Sequence, residues 1–296
     1  MSTADTEAVA AGVAPQVVRV VVPPRSLRSE WRVIKIVFQR EVIRFVNDRV
    51  RIITSLVQPL LYLFVLGSGL QQLSQFGTHG VDLTTFIYPG VLCITVMFTA
   101  MFSAASLVWD REFGFLREMM VAPVRRSSIV IGKCIAGACV ACLQGVILIC
   151  LAGAVHVPYD PLLLLGIFAL QLLLAFSITA FGLMVAARIK QIQSFMGVMQ
   201  MALLPMLFLS GALFPVSNLP SWLTVLNRID PLTYAVDPMR RLVFGHLDMS
   251  AAARAALDPG ITWWGWHLPA LFEAGVVLAL GLVMLAIAIW EFSASE

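Results

Sequence analysis

From Arg51 to Trp290 the charged residues withdraw into a few short clusters and leave six long apolar stretches. These run Ile52–Leu70, Phe86–Val108, Ile129–Val155, Leu162–Ala187, Phe195–Phe214 and Leu268–Trp290. Each approaches or exceeds the roughly 20 apolar residues needed to cross a hydrocarbon core about 30 Å thick. Within these bounds only Lys133 and Glu273 carry an ionisable side chain. The pattern predicts an all-α integral membrane protein with six transmembrane helices.

Ahead of the first stretch the period changes. Over Arg28–Val50, Trp31, Ile34, Phe38, Val42 and Phe45 recur at spacings of three and four, and Arg28, Arg32, Lys35, Arg40 and Arg44 fill much of the remainder. That pattern predicts an amphipathic helix. It is expected to lie in the headgroup plane, rings in the acyl boundary and basic side chains toward anionic phosphates. Such a helix either anchors and orients the first span or transmits motion to the spans. In the third stretch, Gly132, Ala136, Gly137, Ala141 and Gly145 give overlapping small-xxx-small spacings, which permit close approach of a second helix from this chain or another.

After the fifth stretch, Pro215, Pro220, Pro231 and Pro238 cut Ser210–Gly245 into pieces too short to span. Leu219–Ile229 and Leu232–Phe244 are predicted as two short helices. They read either as a re-entrant hairpin or as a surface cap of two interfacial helices. Irregular backbone at membrane depth is tolerated only where protein buries it or water fills a cavity, so a hairpin would mark a lining or a gate.

Composition agrees with a bilayer as solvent: hydrophobic residues make up 59% of the chain and charged residues 12%, against about 25% charged in soluble domains. The net charge of +3 gives no sign of a nucleic-acid partner, because the basic residues are placed by topology. They crowd before the first stretch, between the second and third (Arg111, Arg117, Arg125, Arg126), and after the fourth (Arg188, Lys190), and are missing from Gln71–Thr85 and His156–Asp160. Only the long segment between the fifth and sixth, with Arg228, Arg240, Arg241 and Arg254, breaks the pattern, and long loops count little. Both termini are therefore expected in the cytoplasm. Residues 1–27 read as a disordered cytoplasmic tail without a signal-peptide core, 28–50 as the amphipathic helix, 51–290 as the six-helix unit and 291–296 as a cytoplasmic tail. The five cysteines lie in the apolar stretches with no His or carboxylate beside them, which reads as packing and predicts no metal site.

Between the second and third stretches stands DREFGFLREMMVAPVRRSS, Asp110–Ser128. Asp110, Arg111, Glu112, Arg117 and Glu118 surround Phe113, Phe115, Leu116, Met119 and Met120, and Pro123 ends the apolar patch. A short helix of this kind suits docking into a groove of a soluble protein; a solvated connector and burial in headgroups are the alternatives. Bulky apolar groups are costly in water, at about 25 cal/mol per Å². Glu273, a carboxylate inside a span about two turns from its end, calls for a named partner. Arg240 or Arg241 would close an outer gate with it; otherwise it attracts cationic drugs or snorkels to the surface. No HExxH, GxSxG or suitably placed acidic pair supports the rival class of a lipid-modifying enzyme. A passive channel would have no use for the docking segment.

These residues bring a resemblance into view. Over roughly 28–290 the chain resembles the membrane subunits of ABC-2 type exporters, and looks most like the bacterial drug-resistance and lipo-oligosaccharide-export branch. The likeness rests on the basic amphipathic helix with REVIRFVNDR from Arg40, on Asp110–Lys133 with Gly114, Pro123 and Gly132, and on Ser210–Gly245 with Gly211, Pro215, Pro220, Trp222, Pro231, Tyr234 and Arg240. It departs from that pattern at Phe115, where a small hydroxyl residue is commoner, and at Asp230, where Asn is commoner.

The resemblance implies an architecture of six spans, a cytoplasmic elbow helix and an outer re-entrant helical hairpin, with two such subunits side by side, as a homodimer or a heterodimer. Asp110, Arg111, Glu112, Phe113, Gly114, Phe115, Leu116, Arg117, Met120, Pro123 and Arg125 would form the coupling contact with a separate ABC ATPase, present twice. Trp31, Lys35, Phe38, Arg40 and Arg44 would belong to the elbow. Gly211, Pro215, Pro220, Trp222, Asp230, Pro231, Tyr234, Arg240, Arg241 and Glu273 would belong to the outer gate. ATP and Mg would bind the partner: the only Gly-Lys, Gly132–Lys133, is followed by Cys134, and Ser127 stands where a phosphate-cradling loop needs its first glycine. No catalytic residue and no cofactor is expected on this chain. The expected activity is export of a drug, lipid-linked or amphiphilic substrate, or of a polysaccharide or glycolipid, across the bacterial cell membrane. Met199, Met206 and Phe208 in span five, with Phe98 and Phe102 in span two, are the candidates for the substrate path; plain packing for the methionines and lipid contact for the phenylalanines are the alternatives.

Overall fold

The computed structural model describes residues 27–69, 83–121, 125–213, 220–247, 257, 260–263 and 266–295. Helix α1 (Leu27–Asn47) stops at Asp48, whose carboxylate accepts the Arg51 amide at 3.0 Å and so caps α2 (Arg49–Leu60). Pro59 removes a backbone donor near the end of α2, and the span continues as a π-helical stretch, Leu61–Leu66, whose wider turn carries an extra residue. There follow α3 (Leu83–Glu112), α4 (Phe115–Val121), α5 (Arg126–Ile149), a 3-10 turn at Ala152–Val155, α6 (Pro161–Arg188) and α7 (Ile192–Leu209). The short pair α8 (Ser221–Ile229) and α9 (Thr233–Gly245), a small β-hairpin of β1 (Thr262–Trp263) with β2 (Trp266–His267), and α10 (Ala270–Ser295) complete the chain.

Among the described residues six helices are long and apolar enough to cross a bilayer: Arg49–Leu66, Leu83–Glu112, Arg126–Ile149, Pro161–Arg188, Ile192–Leu209 and Ala270–Ala294. They match the six predicted stretches in order, and the chain is a multi-pass membrane protein. The bounds differ where polar groups find partners inside the fold. The second span runs on through Asp110 to Glu112, and the third ends at Ile149 rather than Val155. The sixth continues past Trp290 because Glu291 and Phe292 are buried and Glu291 pairs with Arg188, so 291–295 is helix and not tail. Leu27 opens α1; the rest of the predicted tail at 1–27, together with Leu70 and Phe214, lies outside the described residues.

Helix α3 forms the centre and is buried along most of its length. α5 and α6 pack against it and against each other, α10 lies along α6, and α1 crosses α5. α2 and α7 sit at the margin and keep most of their surface outward. The small residues of α5 act within this chain. A methyl group on Gly132 would meet Val37 of α1 at 3.0 Å, one on Gly137 would meet Thr179 of α6 at 2.6 Å, and one on Gly145 would meet Gln171 of α6 at 2.6 Å. With no hydrophobic force between helices in lipid, this close contact is what holds them. At the far end of α3, Gly90 receives the Ala212 carbonyl where a side chain would otherwise stand.

Candidate functional site

At one end of the bundle α1, α3 and α5 converge on a buried knot of charge. Lys133 of α5, its side chain 1% exposed, lies 2.6 Å from Asp110 of α3 and 3.0 Å from Glu41 of α1, and donates to Ser106 Oγ at 3.0 Å. Arg40 donates to Asp110 at 2.5 Å and to Glu41 at 2.8 Å. Two cations thus meet two anions, and the knot is neutral. Burial disfavours the charge on Glu41, but Lys133 and the hydrogen bonds from Arg40 and Lys133 outweigh it and hold its carboxyl below the ordinary range. Burial likewise works against Arg40, and its bonds to Glu41 and Asp110 overcome that and raise it.

This arrangement corrects the expected docking set. Asp110 is the last buried turn of α3 and not part of a separate docking helix. Arg111 donates to the Ala186, Ala187 and Ile189 carbonyls at the end of α6, where a cation suits the helix dipole. Glu112 accepts the Ile192 amide at the start of α7. Arg125 precedes α5, with its amide and guanidinium turned to Glu30 of α1. Leu116 is 1% exposed and belongs to the core. Of the apolar side chains in that set, Phe113, 70% exposed, and Phe115, 52% exposed, face outward on either side of Gly114. Gly114 has φ +83, a left-handed bend that lets α3 break into α4. The side chains of Arg117 and Met120, and all of Pro123, lie outside the described residues.

α1 also departs from expectation. It buries Glu30, Val37, Glu41 and Phe45 against the bundle, and Trp31 and Lys35 face outward while Phe38 is half-buried. Arg40 turns into the knot, and Arg44, itself exposed, lies 5.5 Å over the Trp109 ring. The acidic residues of α1, which sequence reasoning set aside, are the ones that fasten it.

Between α2, α3, α5 and α7 opens a groove of about 400 Å³. Its walls are apolar at Ile94, Phe98, Phe102, Trp109 and Met196, with polar rungs at Arg51, Thr54, Ser55, Gln58, Thr95, Thr99 and Gln144. Gln144 donates to Ser55 Oγ at 2.5 Å, and Thr99 donates to Gln144 Oε1 at 3.0 Å, which ties three helices together. Of the path candidates, Phe98 and Phe102 line this groove. Met199 is buried, Met206 packs on the core, and Phe208 faces away, 55% exposed. Sequence reasoning missed the rungs, although Arg51, Thr54, Ser55 and Gln58 share one helical face by their spacing.

At the opposite end α8 and α9 join at Asp230 and Pro231. The Asp230 carboxylate accepts from the Leu232 amide at 3.1 Å and from Thr233 Oγ1 at 3.3 Å. Burial outweighs those bonds and pushes its carboxyl up to about 7. Tyr234 donates to the Arg228 carbonyl at 2.7 Å and receives the Trp263 indole at 3.2 Å. Arg240 donates to the Gly211 carbonyl at 2.5 Å and stands 4.6 Å over Phe86. Arg241 binds the Leu268 carbonyl at 2.7 Å, Asp237, and Glu273 at 3.0 Å. Glu273 is 0% exposed and sits in the first turn of α10, not two turns in. Pro220 and Trp222 face outward, and Pro215 lies outside the described residues. Among the described residues no group of His, Cys, Asp or Glu is placed to hold a metal ion.

The profile of the ABC-2 type transporter family matches residues 32–244, a segment that holds the knot, the groove and the α8–α9 pair. The chain is 32% identical over 213 residues to a transport permease named ycf38 from Cyanophora paradoxa, covering 70% of this chain and 72% of that one. It is 31% identical over 195 residues to nodulation protein J of Rhizobium leguminosarum bv. trifolii, covering 64% and 73%. It is 29% identical over 165 residues to the protein named probable multidrug ABC transporter permease YbhR of Escherichia coli K12, covering 55% and 44%.

Proposed function

The chain belongs to the ABC-2 type transporter family, and from that premise we propose that it is the membrane subunit of an exporter driven by ATP hydrolysed on separate ABC ATPase subunits. Two copies of the chain stand side by side, each with one ATPase docked at the α4 end, which faces the cytoplasm of a bacterial cell. ATP and Mg reside on the partner. The cargo is a drug or another lipid-like amphiphile that enters the groove between α2, α3, α5 and α7. The α8–α9 pair and the Arg241–Glu273 contact close the outer end.

One observation supports this reading above the others. Phe113 and Phe115 stand exposed where α3, its last turn fastened to four other elements, breaks into α4. Asp110 reaches α1 and α5, Arg111 reaches the end of α6, and Glu112 reaches the start of α7. A push on the two rings is therefore passed to the walls of the groove at once. Large exposed apolar groups beside buried charge are costly unless a partner covers them.

The experiment is to co-purify the chain with its ATPase, reconstitute both in liposomes, and compare the wild type with Phe113→Asp and Phe115→Asp. Both side chains are exposed, so folding is retained. Transport should fall by about tenfold or more while basal ATP turnover persists, as expected for an interface ring moved from a pocket into repulsion. Transport at the wild-type rate in both variants overturns the docking assignment.

A further inference from the structure

We propose that the groove between α2, α3, α5 and α7 is a subsite for an anionic amphiphile, whose phosphate or carboxylate headgroup is held by Arg51 and whose tail lies along Phe98 and Phe102. The inference rests on the export reading above and narrows its cargo to one sign of charge.

Arg51 is distinguished from the arginines around it by being half-buried with no partner for its guanidinium among the described residues, whereas its neighbour Arg49 is exposed. Arg40, Arg111, Arg125, Arg126 and Arg188 each hold a carbonyl or a carboxylate, and Arg44 covers Trp109. Among the described residues the Arg51 guanidinium holds no acceptor, although the side chain is half-buried in the groove wall. The two acids within electrostatic range are engaged elsewhere. Glu41 is shared by Arg40 and Lys133, and Asp48 is turned to the Arg51 backbone amide as the cap of α2. A guanidinium offers five donors in a planar fork that matches a carboxylate or phosphate. Held half out of water with those donors unclaimed, it favours an anionic acceptor.

The rest of the groove sets the shape of the occupant. Beyond Arg51 the wall is mostly apolar, and the hydroxyls and amides that interrupt it are already bonded: Ser55 and Thr99 to Gln144, Thr54 to the Val50 carbonyl, and Gln58 to Tyr62. One uncommitted charge at one end and an apolar run behind it suit a head and a tail. About 400 Å³ lies in the usual range for a small-molecule site, roughly 300–1,000 Å³. A cationic amphiphile meets the wrong sign at Arg51, and a neutral one leaves its donors unfilled.

The test measures binding of radiolabelled dodecyl phosphate to the full chain with its ATPase in nanodiscs of zwitterionic lipid, against dodecyl maltoside and dodecyltrimethylammonium. Dodecyl phosphate should bind saturably, and Arg51→Gln should weaken it about tenfold or more, the worth of one charge-assisted contact. Arg51→Lys keeps the charge without the fork and should restore part of the affinity, which also shows that the site is folded. Arg49→Gln removes an exposed charge at the same depth and should leave the affinity unchanged. Equal losses in Arg49→Gln and Arg51→Gln, or equal binding of the three amphiphiles, overturn the subsite. So does displacement by inorganic phosphate at concentrations equal to the probe, which would mark a free-anion site. A failure of the export reading looks different: dodecyl phosphate binds as described, yet ATP turnover moves no cargo in the wild type.

Discussion

Replacing Lys133 by Met tests whether the knot of charge fixes α1 to the bundle. The substitution keeps the length of the side chain and removes one of two cations from a buried cluster of four charges. Asp110 and Glu41, 4% and 7% exposed, are left to share Arg40, with a net charge of −1 that only the partly exposed Arg40 side links to solvent. Removing one partner from a buried ion pair costs about 3–5 kcal/mol, because the survivor stays desolvated. At roughly 2–4 °C per kcal/mol for a domain of this size class, the melting midpoint should fall by about 6–20 °C. The pair Lys133→Met with Glu41→Gln restores neutrality and keeps the Arg40–Asp110 bond, so it should recover most of that loss, a coupling of about 2–3 kcal/mol. Thermal denaturation of the purified chain in nanodiscs, followed by tryptophan fluorescence, reads both. A loss under about 1 kcal/mol for the single variant, or no recovery in the double, refutes the reasoning. The same knot fixes an acid limit. Because Glu41 is held below its ordinary 4.5, its contribution is present above that value and is lost as pH falls past it toward the depressed native value.

Two further outcomes follow from the opposite end. Asp230 is raised from 3.8 to about 7, so its contribution is greatest below 3.8 and is lost as pH rises through about 7; Asp230→Asn should flatten that decline in a pH series of melting midpoints, and an unchanged profile counts against a buried carboxyl there. Gly90→Ala sets a methyl group against the Ala212 carbonyl, and should lower stability by about 1–3 kcal/mol as an overpacked contact; a stable variant would mean that the turn after α7 is free to move away.

The six spans and the two-helix interruption after the fifth were legible because apolar length and proline are local signals. Asp110 was read as the start of a soluble segment, since an acid at the end of an apolar run looks like its boundary. Only the fold shows that Lys133, 23 positions later in sequence, returns on α5 to meet it. Glu41 and Glu30 give no sequence signal for a related reason: among so many arginines nothing marks the acids as buried, whereas a helix that packs on a bundle buries its minority charge with partners. Leu116 and Phe113 were indistinguishable by type and nearly adjacent, yet the bend at Gly114 sends one into the core and the other outward. Of the outer residues, Arg241 rather than Arg240 holds Glu273, a choice that helical phase alone did not make.

The π-helical stretch at Leu61–Leu66 gives the first span a store of slack. One surplus residue is kept in a wide turn, and passing that surplus along the helix swivels everything on one side of it by about 100° per residue. A span with little of its surface locked by neighbours is able to turn in this way without leaving the bilayer. Ser55 would then swing away from Gln144 as a key leaves its ward, with no strand of the bundle unwound.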